Sequence, residues 1–277
     1  MKHQKYITFP LLLFFWISVA WGEASPQNST TDLEVAIDKI MILSGLDNQM
    51  PRYSQRLINA EDFQDYLETL PYDQRSDIQN IINTAFEGSA MLETLRNNIK
   101  KGMSLPQARV LLDWYQSEDG RKITAIEETP RGLDDLEEVF KLQKELQTED
   151  RLLSIDMELV VLCKKLIKAA FVEKSNFMRE LTFRKTLFKL TTPEMSDKAI
   201  EKKLSNLQYE IGLEENEFLL ASIVQLFKNT DKQLLNRYLS FLQKDETQAY
   251  LLRNIEGVQR AVDEGAQKMI QGLQKIR

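Results

Sequence analysis

The 277-residue chain contains one cysteine and one histidine. A disulfide framework within the chain, a Cys/His zinc cluster and a multi-histidine metal site are therefore excluded. Glycine and proline are scarce as well, at ten and seven residues, against roughly 12% of an average chain. With so few turns encoded, helices are favoured over a many-stranded sandwich or barrel. No alternating strand pattern, Gly-flanked serine elbow or phosphate-cradling glycine loop is present. What is there is ordinary for a folded chain, with 43% hydrophobic and 28% charged residues. The length suits one large domain or two modest ones. The expected fold is all-α, in two helical subdomains.

The amino terminus reads as a secretory signal over residues 1–22. Lys2, His3 and Lys5 give a positive start, and Ile7 to Ala20 is an uncharged run dense in Leu, Ile and Phe. Ala20 and Gly22 supply small residues where a signal peptidase reads, so cleavage is expected after Gly22, with Ala20 and Ala24 as alternatives. An uncleaved anchor is the competing reading, but the run is shorter than the ~20 residues that span a bilayer and Pro10 interrupts it. Cleavage would remove the single histidine. It would also take the net charge from −6 to −8 with the loss of Lys2 and Lys5, a balance with no general affinity for nucleic acid. Asn28-Ser29-Thr30 forms an N-glycosylation triplet in a short polar linker.

Helical periodicity begins at Leu33, with Ile37, Ile40 and Met41 on one face and Gly45 as a stop. Helices are predicted over Met50–Leu70, with Pro51 in the first turn, and over Gln74–Lys101. Ser104, followed by Pro106, caps a helix to about Gln116, and Ser117 caps the next. Thr129-Pro130-Arg131-Gly132 breaks the chain. A charged helix follows over 133–147, and Thr148 starts another in which Leu159 to Cys163 is apolar all round, as in a buried central helix. Thr192-Pro193-Glu194 marks a further start, ending near Gly212. Helices over Glu214–Lys228, Lys232–Gln243 and Glu246 to the carboxyl terminus complete the chain. The resulting division is a signal (1–22), an N-terminal helical subdomain (32–130), an acidic connecting helix (131–150) and a C-terminal helical subdomain (151–277).

An internal alignment at an offset of 127 places Ser104 against Asp231, both as N-caps, and Leu112 to Asp119 against Leu239 to Glu246 without a gap. Apolar, aromatic, Gln and acidic positions coincide, which would fit a degenerate duplication. The stretch Leu112 to Lys122 carries an aromatic pair (Trp114, Tyr115), then Ser117, Gly120 and the basic Arg121 and Lys122. It resembles the core motif of the secreted bacterial family called domain of unknown function 2059. The resemblance covers roughly residues 85–140, with an echo over 212–265 where Lys244 and Thr247 replace Ser117 and Gly120. It implies a helical protein exported to the bacterial periplasm and lends no activity. Read physically, Trp114, Tyr115, Ser117 and Gly120 form either a packing motif or the floor of a small-ligand pocket.

For chemistry the mature chain would have only carboxylates as general acids or bases. Glu127, Glu128, Asp134, Asp135, Glu137 and Glu138 cluster in sequence, as a solvated face, a weak cation site or the pair a glycosidase needs. Cys163 has apolar neighbours and no histidine to activate it. Residues 164–189 are basic, and Lys164, Lys165, Lys168, Arg184 and Lys185 could meet an anionic envelope surface or the acidic helix before them. In the last helix, Ile255, Val258, Val262, Ala266, Met269, Leu273 and Ile276 make a heptad seam. Gly257, Ala261, Gly265 and Gly272 lie on a neighbouring stripe, and the seam needs a partner, either this chain or another. No catalytic residue, metal or cofactor is assigned. The expectation is an exported, periplasmic, non-catalytic interaction, scaffold or chaperone-like module of unknown target. The alternative is a carboxylate-dependent hydrolase of cell-envelope glycans or peptides.

Overall fold

The computed structural model describes residues 32–129, 133–147, 156–192 and 195–275. The amino-terminal segment read as a signal and the glycosylation triplet lie outside them. The described residues form helices and no strand, so the fold is all-α. The first helices are α1 (Asp32–Leu43), α2 (Leu46–Ile58), α3 (Glu61–Glu68), α4 (Tyr72–Ala85), α5 (Gly88–Gly102), α6 (Leu105–Gln116) and α7 (Glu118–Glu127). Then come α8 (Leu133–Leu146), α9 (Met157–Ala169), α10 (Val172–Thr191), α11 (Asp197–Phe227), α12 (Lys232–Leu242) and α13 (Asp245–Gln274).

Several helix ends follow from local chemistry. Ser104 and Gln107 make a reciprocal capping box at α6. Ser117 caps α7 by accepting from the Gly120 N–H at 3.0 Å, and Asp231 caps α12 by accepting from the Gln233 N–H at 3.0 Å. Other ends differ from the sequence reading. The expected helix 50–70 is two, divided at Asn59-Ala60, and Pro51 lies inside α2 because Gly45, left-handed at φ 73, restarts the helix at Leu46. The expected helix 74–101 breaks at Phe86-Glu87, where the Ser54 hydroxyl donates to the Phe86 carbonyl. The α9 cap is Asp156, accepting from the Leu159 N–H at 3.1 Å; Thr148 lies outside the described residues. The α11 cap is Ser196, beyond Thr192. Helix α11 then runs through Gly212 to Phe227. One interior glycine costs about 1 kcal/mol, which packing of this 31-residue helix against α8, α9 and α10 offsets. In α9, Val161 is 49% exposed, so the helix is buried on one face and not all round.

The two halves share a packing plan. Helix α1 packs on α2, α5 and α6, and α2 on α5; likewise α9 packs on α10, α11 and α12, and α10 on α11. The inward residues of α1 (Ala36, Ile37, Ile40, Met41) have the spacing of those of α9 (Leu162, Cys163, Leu166, Ile167). Each of these helices is followed by a left-handed residue, Gly45 and Phe171 (φ 53). The starts of α6 and α12, and those of α7 and α13, are 127 residues apart, the offset of the sequence alignment.

The halves then exchange their closing helices. Helix α13 lies across α4 and α5, while α8 lies along α11. One core runs from Ala36 to Leu273, so it crosses the boundary expected between subdomains. A smaller cluster of Val139, Phe218 and Ala221 joins α8 to α11. The glycine stripe of α13 explains its close approach: a Cβ on Gly257 would stand 2.6 Å from Leu95 Cδ1, and one on Gly265 2.6 Å from the Phe86 ring. The Asn98 amide then reaches the Arg253 carbonyl at 2.8 Å, and Thr94 Oγ1 donates to Glu264 at 2.9 Å. Val262, Met269 and Leu273 are buried, each contributing roughly 1.5–3 kcal/mol. Ile255 and Val258 are half-buried, and Ile276 lies outside the described residues. Among the described residues, the seam thus packs mainly on this chain's own helices.

Candidate functional site

The sequence motif from Trp114 to Gly120 lands where the two halves meet, between α6, α7 and α12. Trp114 leaves the end of α6 and stacks on Phe241 with ring centroids 4.5 Å apart and planes 9° apart. Tyr238 also lies parallel to the Trp114 ring at 5.9 Å, and Tyr115 meets Phe241 edge-on at 5.7 Å. Trp114 and Phe241 are the residues that the 127-residue offset places opposite one another, and here they touch. Leu111, one turn back, is fully buried.

Ser117 and Gly120 hold the α6–α7 corner that aims the indole. The Ser117 hydroxyl donates to the Trp114 carbonyl at 2.6 Å and accepts from the Gly120 N–H. A Cβ on Gly120 would collide with the Trp114 carbonyl oxygen and the backbone around it, so only glycine fits. Arg237 fastens the outside of the corner, pairing both oxygens of Asp119 at 2.6 and 3.0 Å and holding that carboxyl below its usual range. Of the two readings of the motif, the geometry supports packing. The aromatic surface packs on Phe241 and Tyr238 of α12, with Trp114 and Tyr115 half-buried.

Beneath the stack lies an acid. The Tyr238 hydroxyl donates to Glu127 Oε1 at 2.7 Å. Burial raises the Glu127 carboxyl from 4.5 to about 7, the phenol's hydrogen bond lowers it, and neighbouring Glu128 raises it. Glu128 is raised too, chiefly by burial and then by Asp47 of α2. Burial, then Glu127, keeps the Tyr238 phenol protonated far above neutrality. The Trp114 indole N–H is buried with no hydrogen-bond partner among the described residues.

This pair has a consequence for stability. A carboxyl with a raised folded pKa favours the native state below the unfolded value, and that advantage is lost as pH rises through the folded value. Stability should therefore fall between about pH 4.5 and about pH 7. Glu127→Gln keeps an acceptor for Tyr238 and removes the buried charge. The variant should match the parent near pH 4.5 and exceed it at about pH 8 by roughly 2–3 kcal/mol. Thermal melts at the two pH values check this, and parallel curves for both proteins would refute it.

The remaining acids disperse. Glu137 and Glu138 are exposed and Asp135 half-buried, while Asp134's side chain lies outside the described residues. Glu138 pairs with Lys228 of α11 at 2.6 Å. The acidic helix therefore packs along α11. Among the described residues no group of three or more His, Cys, Asp or Glu could hold a metal ion. Cys163 is buried on the inward face of α9, where loss of water pushes its thiol up to about 12, far from a nucleophile's range.

The basic run also divides. Arg184 is paired with Glu180 at 2.6 Å, and Lys185 and Lys189 face Asp263 of α13. Lys164, Lys165 and Lys168 stand exposed on α9. An open cleft of about 460 Å³ lies elsewhere, between α2, α3 and α4, and is lined by Gln55, Asn59, Gln64, Gln79 and Asn83. Nothing in the sequence pointed to it, because surface amides carry no periodic signal. The Glu127–Tyr238 contact was equally hidden, since its partners are 111 residues apart and share no motif. Compared with models of protein families, with curated proteins and with solved structures, the chain matches none.

Proposed function

We propose that this chain is an exported, non-catalytic interaction or scaffold module that acts through its outer helix faces. One observation carries the reading: the side chains of the motif with chemical potential are committed to joining the two halves. Trp114, Tyr115 and Phe241 stack on one another, Ser117 caps a helix and Gly120 permits a backbone approach. The resemblance to the secreted family and the charged-then-apolar amino terminus support export. In a bacterial host the periplasmic fraction should yield a chain beginning at Glu23 by intact mass. Recovery of the full 277 residues from the cytoplasm alone would overturn export.

A hydrolase is the second reading, favoured by Glu127, a carboxyl raised to about 7 as a general acid requires. Against it, the Glu127 carboxylate is already engaged by the phenol of Tyr238. The purified chain should release neither reducing sugar nor free amine from cell-wall material. Turnover that disappears in Glu127→Gln would replace the scaffold reading with the hydrolase.

A further inference from the structure

The outward face of α9 carries a feature that packing does not account for. Met157, Val161, Lys164, Lys165 and Lys168 fall within about 100° of arc on one side of the helix. Met157 is 42% and Val161 49% exposed, and the three lysines are exposed beside them. The acids at the start of the helix do not neutralise them: Asp156 and Glu158 are both held by Lys232 of α12, at 2.8 and 2.6 Å. Helix α1, buried through the same spacing, shows that this inward pattern does not demand lysines outside. Its corresponding face carries Val35, Asp38, Lys39 and Ile42, and Asp38 is paired with Arg96 of α5 at 2.9 Å. The surplus of positive charge thus belongs to α9 alone of the two, in a chain of net −6.

We infer that this face of α9 docks on an anionic lipid bilayer surface. Three lysines on long stems can reach headgroup phosphates while Val161 and Met157 enter the acyl boundary between them. The exposed apolar pair favours a lipid over a bare polyanion, which offers nothing for those side chains to enter. The contact is peripheral, as no described helix is long and apolar enough to cross a membrane. Arg184 and Lys185 take no part, being engaged on α10. The inference does not depend on export or on the absence of catalysis.

Vesicle flotation tests it. The chain should float with phosphatidylcholine vesicles containing about 30 mol % phosphatidylglycerol at low salt and not with phosphatidylcholine alone. Each lysine near such a surface strengthens partitioning roughly fivefold, so Lys164→Glu/Lys165→Glu/Lys168→Glu should weaken it by about 100-fold or more. Val161→Asp should weaken it by roughly tenfold. A control with the same charge change at other exposed lysines, Lys101→Glu/Lys198→Glu/Lys268→Glu, should retain binding within a few fold. All four positions tested on α9 are exposed, so circular dichroism should match the parent. Absence of flotation would overturn the inference, as would an equal loss in the control. Undiminished binding by Val161→Asp, with full competition by soluble polyphosphate, would reassign the face to phosphate polymers.

Discussion

Gly120→Ala is expected to lower stability by about 3 kcal/mol, at the upper end for overpacking, and the unfolding midpoint by roughly 6–12 °C for a chain of this size. The added methyl group would overlap the Trp114 carbonyl oxygen. That oxygen already accepts the Ser117 backbone N–H at 2.9 Å and its hydroxyl at 2.6 Å. The obstruction is backbone, so no rotamer change relieves it. The corner must open, and opening it turns Trp114 away from Phe241. Thermal or urea unfolding measures the loss. A melting point within about 1 °C of the parent would show that the corner is softer than its hydrogen bonds indicate. Alanine should be tolerated far better at Ser117, where removal of one cap costs about 1 kcal/mol.

Trp114→Ala is expected to cost about 3 kcal/mol, the lower end of the range for truncating a large aromatic side chain, because the indole is half-buried. The indole stacks on both Phe241 and Tyr238 of α12, and its removal leaves the two rings facing a void. Phe241, 2% exposed, should cost a similar amount when truncated. The two losses should not add. Residues in face-to-face contact are coupled by about 0.5–1.5 kcal/mol, so the double variant should be less damaged than the sum of the single ones. A strictly additive cycle would contradict the stacked geometry. A Trp114→Phe variant separates packing from the indole N–H. That group has no partner among the described residues, so phenylalanine should recover most of the loss.

Local chemistry made much of this fold legible. The capping box at Ser104, the Ser117 cap and the Asp231 cap needed only residue type and spacing. The inward face of α1 followed from apolar periodicity. The breaks at Asn59-Ala60 and Phe86-Glu87 did not, because they are set by tertiary contacts such as Ser54 with the Phe86 carbonyl. Gly212 misled in the opposite sense: a residue that ends an isolated helix is carried through when the helix as a whole packs on its neighbours. The heptad seam of α13 was visible, but its partner was not. Spacing reports that a face must be covered and is silent on which distant segment covers it. For the candidate site, the packing reading of Trp114 to Gly120 could be made from sequence, whereas the Glu127–Tyr238 contact could not.

The exchange of closing helices has a kinetic meaning. The Asn98–Arg253 and Thr94–Glu264 contacts join residues 155 and 170 apart in sequence, separations more typical of slow β topologies than of helical bundles. During synthesis, α4 and α5 emerge well before the helix that roofs them. At about 5–20 residues per second, their apolar faces wait many seconds for it. Until then the amino-terminal half lacks the helix that packs on α4 and α5. The exchange thus ties the closing of the amino-terminal core to the last helix of the chain.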